Sequence, residues 1–212
     1  MGRIAVLALL TCGLLTLAGC GGSSASSMTT QTTGAADDPH TKSPFAAPLL
    51  PASVQNAPPI RLRNQHGRVV SLAQYRGRAV FLTFVYTHCL DVCPVILQDL
   101  GAAQRELGAR AHRMQILAVS VDPRGDTPAY VRRFLSQRHI GSQVQYLLGT
   151  KAQLAPVWRR YNVPVTAEGK TQVGHLALVI GIDAAGRIRT LYPATPLHTR
   201  DITHDAPLLA AA

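Results

Sequence analysis

Phe84-Val85-Tyr86-Thr87-His88-Cys89-Leu90-Asp91-Val92-Cys93-Pro94 joins the most β-prone run of the chain to the start of a helix, and it carries two cysteines. A thiolate is both the nucleophile of disulfide exchange and a soft ligand that selects soft metals such as Cu(I). Two thiols four positions apart therefore point to redox or metal chemistry. Residues 80–86 read as a buried strand, and Pro94 stands where a helix begins, because proline at the first helical position needs no amide hydrogen. That reading puts Cys93 at the helix N-terminus, where aligned peptide dipoles and free amides lower a thiol's pKa.

Outward from this stretch the pattern alternates strands with helices. Downstream, Val95, Leu97, Leu100, Ala103 and Leu107 recur at an approximately helical period that stops at Gly108. Residues 114–121 form a second continuous apolar run, as expected of a strand covered on both faces. It enters Asp122-Pro123-Arg124-Gly125-Asp126-Thr127-Pro128, where Asp126 or Thr127 can cap a helix running to about His139. A short strand at 144–148, a helix at 151–161, a hairpin of 176–182 with 187–191 and a weak helix at 199–209 follow. Upstream, residues 60–63 and 68–71 alternate apolar and polar about Asn64-Gln65-His66-Gly67 and read as a hairpin, with a helical turn at 72–76. The whole describes a thioredoxin-like α/β domain with an N-terminal β-hairpin extension over residues 58–212.

The chain has 212 residues, a length that allows one domain, or one domain plus a tail. Residues 1–19 carry one early cation, Arg3, and an apolar run from Ile4 to Leu17 that is shorter than the ~20 residues a membrane span needs. This reads as a secretory signal. Its end, Leu17-Ala18-Gly19-Cys20, resembles the lipobox of bacterial lipoproteins, which implies acylation of Cys20 and attachment to the extracytoplasmic face of a bacterial membrane. Residues 20–57, rich in Gly, Ser, Thr, Ala and Pro without apolar periodicity, read as a flexible tether. With 21 Lys and Arg against 11 Asp and Glu the net charge is +10, so anionic partners are favoured. For an exported chain those are lipid headgroups or an acidic protein face, and nucleic acid is excluded as a partner.

Three readings of Cys89 and Cys93 stand side by side. A structural disulfide suits an oxidising compartment, but a domain of this size buries enough surface without a staple. A thiol-disulfide oxidoreductase usually carries Cys-x-x-Cys, one residue tighter than here. Metal capture needs a further ligand, and His175, following Val173-Gly174 at the start of the next apolar strand, can supply one if a parallel neighbouring strand brings it to the thiols. His88 reads as a solvated loop residue or spare ligand, Asp91 as a helix-start anion or a charge that favours a bound cation, and Asp122 and Asp126 as loop-ordering groups.

Three ordered blocks sharpen this. Tyr86-Thr87-x-Cys89-x-Asp91-Val92-Cys93-Pro94, then Val119-Ser120-Val121-Asp122-Pro123 with Asp126-Thr127-Pro128, then Gly174-His175 before an apolar strand, resemble the Sco (SenC) family of copper chaperones over about residues 58–205. The resemblance implies that Cys89, Cys93 and His175 bind one copper ion, Cu(I) or Cu(II), on a thioredoxin fold. It further implies a role in assembling the copper A centre of cytochrome c oxidase, with that oxidase's copper-centre subunit as partner and a periplasmic copper donor or thioredoxin-like reductant upstream. The family is a chaperone more than an enzyme. The rival reading is a thiol-disulfide oxidoreductase that keeps the cysteines of apo-copper sites reduced. One departure is Leu90, where the family usually has proline.

Overall fold

The computed structural model describes residues 43–168, 172–175 and 177–212. The expected signal segment, Cys20, the first part of the tether and Leu176 lie outside the described residues, as do the side chains of residues 167–176.

Strand β4 (Ala79–Val85), in which all seven residues are buried, is the middle of the domain. Its apolar residues face both ways because both faces are covered, which is why the sequence shows a continuous run and no alternation. β4 pairs in parallel with β5 (Met114–Ser120), and β5 in parallel with β6 (Val144–Leu148). The two parallel steps are bridged by helices α1 (Val92–Glu106) and α2 (Pro128–Ser136). On the other side of β4 runs β9 (Leu178–Ile182), antiparallel, followed by its hairpin partner β10 (Arg187–Pro193). β2 (Arg61–Asn64) and β3 (Val69–Ser71) form the expected hairpin and extend the sheet beyond β6, while β1 (Gln55–Asn56) closes the other edge on β10. The order is β1-β10-β9-β4-β5-β6-β2-β3. With α3 (Lys151–Arg160) and α4 (Thr199–Ala211) covering it, this is the thioredoxin-like arrangement with its hairpin extension.

Alternation along β4 divides the core into two layers. Phe81 faces Tyr192 of β10, with ring centroids 6.0 Å apart, and Phe84 on the opposite face meets Tyr161 at the end of α3 at 5.6 Å. Apolar burial of this kind is worth roughly 1.5–3 kcal/mol per large side chain. Both faces therefore press on the strand that delivers the cysteine loop.

Two expectations change. β9 is antiparallel to β4, with Thr83 opposite Val179 and the Thr83 hydroxyl donating to the Leu178 carbonyl at 3.0 Å. A parallel neighbour would start at the far end of the sheet from the cysteines; the antiparallel one starts beside the end of β4 that leads to them. β7 (Val165–Glu168) and β8 (Gln172–His175) pair as a separate two-stranded sheet in a stretch to which the sequence assigned no element. The stretch 45–57, read from composition as tether, is packed on the domain. Ala47 is buried, its amide and that of Ala46 donate to the Asp205 carboxylate at 2.9 and 2.7 Å, and Leu49 bridges Leu191.

Candidate metal centre

β4 and β5 are parallel, so the loops leaving their C-terminal ends lie side by side, and one carboxylate ties them together. The Asp126 carboxylate accepts from the Thr87 amide at 2.9 Å, the Thr87 hydroxyl at 2.6 Å, the Ser120 hydroxyl at 2.6 Å and the Tyr146 hydroxyl at 2.8 Å. It thereby joins the ends of β4 and β5 to the body of β6. Burial pushes its carboxyl up from the usual carboxylate range, and the hydrogen bonds from Ser120, Thr87 and Tyr146 pull it back. The Trp158 indole NH donates to the Ser120 carbonyl at 2.9 Å, fixing the same point from α3. Asp126 is thus the loop-ordering group expected, while the cap of α2 is Thr127, whose hydroxyl accepts from the Tyr130 amide at 3.3 Å. Trp158 carried no such signal in the sequence. Its apolar neighbours at helical spacing mark it as core, and the indole partner is a main-chain carbonyl 38 positions away.

On this platform sit two free thiols, both buried. Helix α1 begins at Val92, two residues before Pro94, so Cys93 lies inside the first turn and is fully buried. Cys89 precedes the helix, and its Sγ accepts from the Cys93 amide at 3.4 Å. The sulfur therefore takes the place of a capping oxygen, since the Asp91 side chain makes no capping bond. This reverses the expected assignment of the activated thiol. The Cys93 thiol and the amides of Cys93, Asp91 and Val92 stabilise a Cys89 thiolate against the opposing effect of burial, bringing that thiol down to about 5. Cys93 moves the other way, because its hydrogen bond to Cys89 and its burial both disfavour a second thiolate. The helix dipole acts on the residue in front of the helix rather than on the one within it.

The other residues singled out by sequence divide. His88 is engaged rather than merely solvated: its ring stacks on Tyr130 at 4.5 Å, and its Nδ1 is 3.9 Å from the Asp122 carboxylate. His88, Asp122 and Asp126 bring three ligand atoms within 4.8 Å of one another. Asp126 spends its oxygens on Thr87, Ser120 and Tyr146, and Asp122 accepts from the amides of Arg124 and Gly125. Leu90 is 98% exposed. The His175 backbone lies on β8 opposite Val165, three residues before β9 starts beside the end of β4. Val165 also lines a hollow of about 360 Å³ bordered by Val121, Asp122 and Trp158, so by its backbone β8 belongs to the same end of the domain as the thiols. The His175 side chain is outside the described residues.

Comparison with known proteins agrees with this architecture. The profile of the SCO1/SenC family matches residues 52–206. A putative copper-binding protein of Stutzerimonas stutzeri is 30% identical over 139 residues, 62% of this chain and 67% of that protein. The mitochondrial SCO2 homolog of Bos taurus is 36% identical over 113 residues, 52% of this chain. The chain spans only 42% of the length of that bovine relative. Among solved structures, Bradyrhizobium japonicum ScoI with copper bound superposes with a TM-score of 0.65 at 28% identity, covering 73% of this chain and 99% of that one. Apo Sco1 of Thermus thermophilus gives 0.66 at 26% identity, over 78% and 96% of the two chains. With the profile match covering well over half the residues and the copper-bound fold superposing over nearly its whole length, this chain belongs to the SCO1/SenC family.

Proposed function

We propose that this protein is a copper chaperone that carries one Cu(I) or Cu(II) ion on Cys89, Cys93 and His175 and delivers it to the copper A centre of cytochrome c oxidase. The observation that carries the reading is the pair of unbridged thiols held at the end of β4 and the first turn of α1, one of them predisposed to be a thiolate. Thiolates suit Cu(I), and an added imidazole completes a trigonal set that Cu(II) can also use with an oxygen ligand. In this reading copper is cargo, received from a periplasmic donor and passed to the oxidase subunit. Acylation at Cys20 holds the chain to the extracytoplasmic face of the membrane.

A second reading is favoured by the same lowered Cys89 thiol: an oxidoreductase that reduces the cysteines of apo-copper sites and has no need of His175. Competition for Cu(I) against a chromophoric chelator tests the first. Cys89→Ser and Cys93→Ser are each expected to weaken Cu(I) binding at least ~100-fold, beyond what loss of an outer-shell group costs, and unchanged affinity overturns the ligand assignment. His175→Ala divides the two readings. A carrier loses oxidase copper loading in cells while the Cys89/Cys93 potential stays within ~30 mV, a shift equivalent to about 1.4 kcal/mol. Normal loading by that variant hands the function to the reductase.

A further inference from the structure

A cleft of about 300 Å³ opens beside Cys89, lined by Leu90 and by Tyr130, Arg133, Gln137 and Arg138 along and just beyond α2. Cys89 retains 8% exposure and Cys93 none, so the thiol pair is approached from this side. The lining includes two guanidinium groups and no carboxylate. Neither arginine has an acidic partner among the described residues, and Arg138 is held in place, its guanidinium 3.8 Å over the Phe134 ring with one nitrogen donating to the Phe134 carbonyl at 3.0 Å. Two apolar groups stand exposed at the mouth, Leu90 at 98% and Tyr130 at 42%.

We propose that this cleft docks an acidic, cysteine-bearing segment of a partner protein, with Arg133 and Arg138 pairing its carboxylates, Leu90 covered by its apolar surface, and its sulfur aimed at Cys89. The inference rests on the carrier reading for its purpose, since a thiol delivered there is placed to take copper. Charge chooses an anionic occupant, because unpaired guanidinium groups bind carboxylates in bidentate fashion. The exposed leucine chooses a protein over a small free thiol: fully burying such a side chain yields roughly 1.5–3 kcal/mol, which a small molecule held by the arginines leaves unused. The exchange that follows is redox-neutral. A bond from copper to the partner's sulfur forms, the bond to the Cys89 sulfur breaks, the partner's thiol proton goes to solvent, and Cys89 keeps its electron pair as a thiolate.

The test uses the full-length chain, apo and copper-loaded, with two fluorescein-labelled peptides, each carrying a single cysteine, one rich in Asp and Glu and its counterpart in Asn and Gln. Anisotropy titration is expected to show the acidic peptide bound at least ~10-fold more tightly, with the difference shrinking as salt rises. Arg133→Glu removes the preference. Arg110→Glu, an equal charge change in the turn that precedes β5 at the opposite end of the sheet, retains it. Leu90→Ser weakens both peptides alike. Equal binding of the two peptides, an equal loss from Arg133→Glu and Arg110→Glu, or displacement of the acidic peptide by an equal concentration of mercaptosuccinate overturns the proposal. Cu(I) affinity measured on the same variants separates this from the carrier reading: Arg133→Glu keeps it, and the peptide preference is read in the apo chain whether or not copper binds.

Discussion

At the scale of single residues, the position of a sulfur relative to a helix end decides which thiol is activated. Cys89 sits in front of α1 and collects its first amides, whereas Cys93 lies within the turn and supplies a thiol proton to its neighbour. The pH dependence follows with a definite sign. A thiol lowered on folding from its ordinary value, near 8.5 in a free peptide, to about 5 contributes stability that is fully present above the upper value. That contribution is lost as pH falls through the lower one. Thiolate absorbance of the reduced chain is therefore expected to rise with a midpoint near 5 for one thiol only, with the other silent through neutral pH. Two thiols titrating together near 8.5 would contradict the geometry. None of this was legible in the spacing. Cys93 beside Pro94 looked like the capped residue, and only the start of α1 at Val92 moves the cap to Cys89.

At the scale of elements, the site depends on strand ends held in register by Asp126. Its four donors lose their acceptor together in Asp126→Ala, and buried donors left unpaired cost about 1–3 kcal/mol each before relaxation or entering water. A net loss of about 3 kcal/mol is expected by urea denaturation, with Asp126→Asn recovering part of it because an amide oxygen still accepts from Thr87 or Ser120. A loss under about 0.5 kcal/mol for the alanine variant would remove Asp126 from this role. The sequence made the strands and helices of the parallel core readable, since apolar runs of 80–86 and 114–121 admit few alternatives. Strand direction was not readable: nothing in Leu178–Ile182 says which way it lies against β4, and pairing is settled by partners some 95 positions away. The β7–β8 hairpin escaped for a related reason, being four residues a side and paired with itself outside the main sheet.

At the scale of the whole molecule, the first described residues belong to the domain through a carboxylate near the end of the chain. Asp205, fully buried, accepts from the amides of Ala46 and Ala47 and from the Tyr192 hydroxyl, at 2.7 Å for the last, and lies 2.7 Å from His204 Nδ1. Composition placed the boundary at residue 57 because Gly, Ser, Thr, Ala and Pro make up most of residues 20–57. The acceptor that anchors the segment lies 158 residues from Ala47, beyond the reach of any local pattern.

The two-residue strand β1 gives that packed segment a protective office. Gln55 and Asn56 occupy the outer side of Ile188 and Arg187, the Ala57 amide is taken up by the Gly186 carbonyl, and Pro58 and Pro59 follow, residues that cannot donate to another strand. A shortened form beginning at residue 58 would bare the seven-residue margin of β10, a ready template for pairing with a second molecule. Such a form is expected to self-associate in a concentration-dependent way by analytical ultracentrifugation, while one beginning at residue 43 remains monomeric.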